Sequence, residues 1–356
     1  MNDMENNNKT SFIVDDSDTP VPGNPLETDN MPHLPPSPKG RWNLLSDNYD
    51  TLSSTSNNSE QAKVSPVADK KATLFEKPER LRYRCEQLTI TKVNGVIENH
   101  AETKSEYHIR KVFENNMPLI AVELTDSVTT IYPENLREGF KLVADIDELK
   151  NNVTLSVNQE TGKPLKVANI TDIENSWIKH RKKLEDQYAF VQSDETRKNI
   201  QTFLEMMQKG MTNEGLLQYY ATQPFYDLFF GKYLVSDKID LYSGNKIYYS
   251  QLFDLLPVEM KIDSKIKFET PDTITVAINS DRTADIKTTT QIELLYDQRF
   301  KSFIGYKFSD YIYHHNTEYT VDKTNHVLEN AVITIHEAVK NNIEVIVEYK
   351  LRRIEL

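Results

Sequence analysis

The chain has 356 residues and a formal net charge of −12 at pH 7. Because phosphate groups bind to basic surfaces, this charge argues against nucleic acid as the main partner, and it also disfavours anionic membrane surfaces. The single cysteine, Cys85, excludes an intrachain disulfide and a cysteine-based zinc site, and we expect it to pack as a small side chain of a strand. The sequence has no apolar run of about 18 residues, so no transmembrane span is predicted.

Residues 1–78 are predicted to form a disordered tail. They hold nine of the 15 prolines and are otherwise rich in Asn, Ser and Asp, a composition that cannot bury enough apolar surface to offset the entropy of ordering. The Pro-rich stretch 34–39 fits a polyproline ligand, and Trp42 with Leu44 and Leu45 can anchor in a groove of another protein. We therefore predict a protein partner for the tail, with ordinary tail composition as the alternative.

The first ten residues are polar and Asn-rich. They lack the charged start and apolar core of a secretory signal. The expected location is cytoplasmic, unless the protein is exported without a leader.

The stretch from Leu81 to Val167 is predicted to form antiparallel strands. Tyr83–Val93 is rich in Thr, Ile and Val and leads into Asn94-Gly95, a dipeptide that favours a tight hairpin turn because both residues can take positive φ. Further strand-like runs lie at 106–113, 118–124, 153–157 and 165–167, and short helical turns are expected at 134–140 and 145–150. A meander of neighbouring strands is the simplest arrangement.

The segment 171–231 is predicted to be helical. Thr171 and Glu174 have the spacing of a capping box. Two apolar stripes with helical spacing follow, namely Ile173, Trp177, Leu184, Tyr188 and Val191, and then Ile200, Phe203, Leu204, Met207 and Met211. The short polar break between the stripes predicts an antiparallel helical hairpin.

An aromatic-rich stretch follows, and Pro224 can open a short helix in it. Six side chains of the helical segment are candidates for binding an apolar ligand or a protein partner: Trp177, Tyr220, Phe225, Tyr226, Phe229 and Phe230. The alternative is that these rings seat the helices on a sheet, because large aromatic side chains dominate core packing.

Residues 232–356 return to strand patterns. The runs lie at 246–249, 258–268, 274–278, 286–294, 319–321, 331–335 and 343–351. Their half-polar character implies a sheet with one solvated face, which is typical of antiparallel sheets. We therefore predict an α+β fold in which residues 79–356 form a single domain: a curved, half-barrel-like antiparallel β-sheet with the central helical insert packed on its concave side. A division into two domains near Gly231 is the alternative.

No motif specific to catalysis occurs. A Gly-rich loop before a helix and a Gly-x-Ser-x-Gly elbow are both missing. The stretch His336–Lys340 begins like a zinc-protease motif, but Lys340 stands where the second His is required, and the pattern is that of a strand. Pairs among His314, His315, His326 and His336, or His100 with His108 across the first hairpin, could bind a metal, but solvent-facing strand histidines are expected instead. We predict no catalytic residue, no metal and no cofactor.

The stretch from Asn152 to Trp177, which contains Asn-Val-Thr-Leu-Ser-Val at 152–157 and Gly162, resembles uncharacterised β-rich proteins of Bacteroidota, as does Glu318–Thr324 before the last hairpin. Those proteins are similar to lipoprotein carriers. The resemblance implies a curved sheet with helices lying in it and, typically, an export signal with a lipobox cysteine.

Three functions remain open. The first is a non-catalytic binding or accessory protein with a docking tail, which can hold an apolar ligand at the interface between helices and sheet. The second is a structural or cargo component of a contractile injection or type VI secretion assembly. The third is a hydrolase whose site no motif reveals.

Overall fold

The computed structural model describes residues 80–355, apart from 115–116, 159–161, 191–192, 231–240, 242, 254–255 and 284–285. The predicted tail and its motif residues Trp42, Leu44 and Leu45 lie outside the described residues, and the predictions made for them stay predictions.

Within the described part of the chain, eleven strands form one antiparallel sheet in the order β5-β4-β3-β2-β1-β11-β10-β9-β8-β7-β6. The strands are β1 (Arg80–Val93), β2 (Val96–Glu114), β3 (Met117–Tyr132), β4 (Asn152–Val157), β5 (Pro164–Val167), β6 (Ser243–Tyr249), β7 (Pro257–Glu269), β8 (Thr273–Arg282), β9 (Tyr311–Asp322), β10 (Val327–Val339) and β11 (Ile343–Ile354). The predicted antiparallel α+β class is confirmed. Strands from before and after the helical segment share this sheet because β1 pairs with β11.

The helices are α1 (Arg137–Lys150), α2 (Ile170–Gln187), α3 (Asp194–Gly210), α4 (Asn213–Thr222), α5 (Pro224–Phe229), α6 (Ile286–Arg299) and α7 (Lys301–Ile304). The helical pair predicted after residue 171 is confirmed as α2 and α3, and Pro224 opens α5 as expected. No helix in the described ranges is long and apolar enough to cross a membrane.

The tight turn between β1 and β2 is confirmed. Asn94 and Gly95 take φ values of 51° and 81°, and both fall in the left-handed region that the hairpin turn requires. The backbone N–H of Asn94 also donates to the carbonyl of Asn342, at 2.8 Å. This contact ties the first hairpin to the last one, between β10 and β11.

The sheet is strongly curved around the helices. Laid flat, eleven strands at about 4.8 Å per spacing would separate the two edge strands by about 48 Å. Yet Asn213 at the start of α4 accepts a hydrogen bond from the Val167 amide of β5, and Asp227 in α5 pairs with Lys246 of β6. At about 1.5 Å per helical residue, the segment joining Asn213 and Asp227 spans only roughly 20–25 Å. The helices therefore lie on the concave face, as predicted.

Two local predictions were wrong. The capping box at Thr171 does not form, because α2 already begins at Ile170 and the side chain of the preceding Asn169 accepts a bond from the Thr154 amide of β4. The run at 286–294 is not a strand but the start of α6. Its alternating Ile and Thr residues fit a strand period, but the buried residues Ile292 and Tyr296 follow the helical one.

Two further corrections concern the first half of the chain. The turns predicted at 134–140 and 145–150 form a 3-10 turn at Glu134–Leu136 that leads directly into the single helix α1. His100 and His108 cannot meet across the first hairpin, because both lie on β2.

Candidate functional site

The concave face of the sheet meets the helices in a cluster of aromatic rings, which we call the aromatic interface: Tyr83 of β1, Tyr107 of β2, and Phe225, Tyr226, Phe229 and Phe230 of the α5 segment. Phe225 stacks on Tyr107 with ring centroids 4.1 Å apart and an angle of 9° between the planes. Phe229 meets Tyr83 edge-on at 5.7 Å. Such ring pairs add specific geometry to the burial of apolar area.

The bonds that hold the helices in place lie at the margin of the aromatic interface. The hydroxyl of Tyr220 donates to the Lys150 carbonyl at 2.6 Å, and that of Tyr226 donates to Asn151 Oδ1 at 2.9 Å. Burial raises the pKa of both phenols, so the hydroxyls stay protonated and can donate. The centre of the interface is apolar, whereas its anchors are hydrogen bonds to the end of α1.

All six candidate ligand-binding side chains of the helical segment are buried: Trp177, Tyr220, Phe225, Tyr226, Phe229 and Phe230. The structure brings five of them together around α5. Trp177 lies on α2 instead, where its indole N–H donates to Gln208 Oε1 of α3 at 2.7 Å. The six rings seat the helices on the sheet, and their role in binding a ligand stays a prediction.

Helix α5 also reaches the opposite edge of the sheet. The Nζ atom of Lys246 on β6 lies 3.0 Å from Oδ1 of Asp227 on α5, and the same ammonium lies 4.7 Å from the centroid of the Tyr248 ring. Both partners of the ion pair are partly exposed to solvent, so we expect the pair to contribute little to stability. It joins the helices to a strand that is six places from β1 in the sheet order.

A small polar group lies on the concave face beside this ion pair, formed by Tyr248 of β6, Ser280 of β8 and His315 of β9. The rings of Tyr248 and His315 have centroids 4.0 Å apart. Ser280 is fully buried and His315 is 7% exposed. Burial lowers the pKa of His315 to about 4, so its imidazole is neutral at pH 7.

Ser280, His315 and Asp227 are the residue types of a hydrolase triad, but they are not linked as one. Neither ring nitrogen of His315 has a hydrogen-bond partner among the described residues, and the Ser280 hydroxyl interacts with the hydroxyl of Tyr248. Asp227 is paired with Lys246. Activation of a serine needs a bonded base that is itself oriented by a third group. The group therefore offers free donors and acceptors but no proton relay.

Glu337 of β10 is a further buried polar residue of the concave face, with no exposed surface. Its carboxylate accepts bonds from the Ser250 hydroxyl, from the Gln251 amide at 2.5 Å and from the Tyr311 hydroxyl at 2.6 Å. The amide of Leu252 adds a fourth bond at 3.2 Å. Burial raises the pKa of Glu337, and these donors oppose the rise. The arrangement fastens the turn after β6 to the sheet.

The outer face of the sheet carries a polar cleft of about 540 Å³, lined by Lys261, Asp263, Asn279, Asp281 and Asn316. It contains no aromatic or aliphatic lining residue and lies on the opposite face of the sheet from the aromatic interface, because strand neighbours such as Asn279 and Ser280 point to opposite faces. An apolar ligand would find no matching surface here.

Two of the histidines considered as metal ligands, His314 and His336, lie next to this cleft. His314 and His315 point to opposite faces of β9, as predicted, because His314 bonds Asp281 at 2.9 Å on the outer face. His336 stacks on His314 with centroids 6.4 Å apart and bonds Glu344. Each outer histidine thus has its own carboxylate partner. In the ranges that the structure covers, no three His, Cys, Asp or Glu side chains converge as a metal site.

Sequence reasoning missed the polar group of Tyr248, Ser280 and His315. The signal was present in the alternation of β8 and β9, since Ser280 continues the buried positions of Ile274 and Val276, and His315 those of Tyr311 and Tyr313. Cys85, in contrast, is the packed strand residue that was predicted: it is buried, and burial raises the pKa of its thiol to about 12, which leaves no nucleophilic thiolate at pH 7.

Comparison with known proteins adds one distant likeness. No protein-family model matches the chain, and no curated protein matches it. A solved structure described as lipid–protein interactions in lipovitellin is similar with a TM-score of 0.41 and 9% sequence identity, over 78% of this chain and 25% of that one. The chain thus spans about a quarter of the length of the lipovitellin chain that it matches.

Proposed function

We propose that this protein is a non-catalytic binding protein that holds an apolar ligand between its curved sheet and the helices α4 and α5. The observation that carries the proposal is the aromatic interface, where Phe225 and Phe229 lie on Tyr83 and Tyr107. An apolar ligand can take the place of the contacts that the rings make with one another. The rings then pack against the ligand, so the apolar area buried from water is not lost.

The fastening of the helices supports such an exchange. The hydrogen bonds of Tyr220 and Tyr226 lie at one margin and the Asp227–Lys246 ion pair at the other. Because the side chains of that ion pair are 39% and 40% exposed, it is screened by water and opens at little cost. We infer that α5 moves away from β6 to admit the ligand and stays attached through Tyr220 and Tyr226.

Two measurements on the full-length chain test this function. Native mass spectrometry of the purified protein is expected to show an added mass that organic extraction releases. The uncharged dye N-phenyl-1-naphthylamine is expected to bind saturably, followed by energy transfer from Trp177 in a Trp42→Phe background, which leaves Trp177 as the sole tryptophan.

A matched variant pair locates the site. Asp227→Asn breaks the ion pair without touching the aromatic interface, so dye uptake is expected to become faster, whereas Asp263→Asn on the outer face leaves it unchanged. The proposal fails if the wild-type protein carries no added mass and binds the dye only linearly. It also fails if Asp263→Asn has the same effect as Asp227→Asn.

A further inference from the structure

His315 is a buried polar side chain without a hydrogen-bond partner inside the concave face of the sheet, and Ser280 lies opposite it. Ser280 is fully buried and His315 is 7% exposed; neither ring nitrogen of His315 is hydrogen-bonded within the described residues, whereas the Ser280 hydroxyl interacts with the Tyr248 hydroxyl. Buried polar atoms in native proteins nearly always have a partner, and an unsatisfied one destabilises the fold. Two such atoms on one ring therefore point to a group that is bound there.

The register of the sheet places the two residues directly opposite each other. Strands β8 and β9 pair Ile278 with Thr317 and Asp281 with His314, and the two positions between these pairs are skipped in the ladder. Ser280 and His315 occupy one of the skipped positions, so the strands are locally less tightly joined at this point. The unpartnered imidazole of His315 and the interrupted ladder coincide.

The chemistry of the pair selects its partner. A neutral imidazole offers one N–H donor and one nitrogen acceptor, and a serine hydroxyl can do both. Burial keeps His315 neutral at pH 7, since its pKa is lowered to about 4, and the charges nearest to it, Asp227 and Lys246, are paired with each other. A carboxylate can only accept and a quaternary ammonium can do neither, so neither can pair the acceptor nitrogen of the imidazole, whereas a hydroxyl can donate to it.

The pair lies at the end of the aromatic interface. His315 lies next to Ile335 of β10 in the register of the sheet, and α5 packs on β10. The same helix carries Phe229 towards Tyr83 and Asp227 towards Lys246. An elongated molecule beneath α5 can therefore place its apolar part against the rings and its end against β9.

We propose that the ligand is a neutral amphiphile with a hydroxyl head group, and that Ser280 and His315 bind this hydroxyl while the aromatic interface holds the chain. This inference rests on the proposed function and adds the chemical class of its ligand. The head group donates to the free imidazole nitrogen and accepts from the Ser280 hydroxyl or from the imidazole N–H.

Displacement of N-phenyl-1-naphthylamine from the full-length protein tests the assignment. The competitors are 1-dodecanol and dodecyl methyl ether, which share the alkyl chain but differ in the ability to donate. The wild-type protein is expected to bind the alcohol about tenfold more tightly, because the ether leaves the imidazole acceptor unpaired. Ser280→Ala is expected to weaken the binding of both competitors several-fold, because both accept a bond from its hydroxyl, and His315→Phe, which keeps a ring against Tyr248, to abolish the preference for the alcohol.

Thr317→Val serves as the matched control, because Thr317 is a buried hydroxyl on the same face of β9 two residues from His315. It is expected to retain the preference for the alcohol. Folding is monitored separately by urea denaturation without ligand, in which Ser280→Ala is expected to unfold at a urea concentration close to that of the wild type, since it removes one hydroxyl and leaves the imidazole of His315 in place.

The outcomes separate the two proposals. If the dye binds but alcohol and ether displace it equally in the wild type, the head-group assignment is overturned while the proposed function stands. A crystal structure with 1-dodecanol bound elsewhere and only water between Ser280 and His315 overturns it as well. If the dye does not bind at all, the proposed function fails, and this inference fails with it.

Discussion

Replacing Glu337 by alanine tests how a buried carboxylate fastens the turn after β6. The change removes the acceptor for four donors: the backbone amides of Gln251 and Leu252 and the hydroxyls of Ser250 and Tyr311. An unsatisfied buried donor costs about 1–3 kcal/mol. The hydroxyls can rotate to other acceptors but the two amides cannot, so we expect a loss of about 3–5 kcal/mol in the free energy of unfolding.

Urea denaturation of the full chain at pH 7, followed by circular dichroism, measures this loss. Glu337→Gln keeps one acceptor oxygen and should lose about 1–3 kcal/mol. Glu348→Ala, on the neighbouring strand and partly exposed, is the matched control and should change little. The reasoning is refuted if Glu337→Ala is as stable as the control.

Three other substitutions are expected to have separate effects. Phe229→Ala removes a fully buried ring and should lower the free energy of unfolding by about 3–5 kcal/mol, whereas Phe268→Ala, 62% exposed, should leave it nearly unchanged; equal urea midpoints would contradict this. Hydrogen bonding to Arg82 holds the pKa of Glu106 at about 2, below the ordinary 4.5. The contribution of the Glu106 carboxylate to the free energy of unfolding is therefore complete above pH 4.5 and is lost as the pH falls towards 2. Glu106→Gln should flatten the pH profile of stability in that window, and an unchanged profile would count against it. Gly95→Ala should lower the free energy of unfolding by about 1 kcal/mol. The loss comes from the positive φ alone, because an added Cβ meets nothing within 4 Å. Thermal unfolding that shows no loss of stability would refute the turn assignment.

Local sequence patterns predicted most of the strands because each strand has one buried and one solvated face. The alternation of Ile343, Val345 and Val347 predicted β11 and its inward-facing side chains, and all three of these residues are buried. Asn94 and Gly95 predicted the first turn because both residues can adopt the positive φ that it requires. These signals are local, so they need no knowledge of the partner strand.

Other features depend on partners that are distant in sequence. The pairing of β1 with β11, for example Cys85 with Leu351, joins the two ends of the described chain, and no local pattern specifies it. Glu337 offered no sequence signal for its burial, because the four donors that satisfy it come from residues far along the chain. A charged residue in a strand is expected to face solvent unless such partners are known.

The contact between Tyr248 of β6 and His315 of β9 could not be placed from the sequence for the same reason, and the cause is curvature. Strands β6 and β9 are separated by β7 and β8, which in a flat sheet would keep them about 14 Å apart. The rings of Tyr248 and His315 nevertheless lie 4.0 Å apart, and the Tyr313 hydroxyl donates to the Tyr249 carbonyl at 3.0 Å. The curvature that folds β6 over the concave face also brings Lys246 within reach of Asp227. The contact between Tyr248 and His315 and the attachment of α5 to β6 therefore depend on one property of the sheet, so a substitution that flattens β6 to β9 should weaken both together.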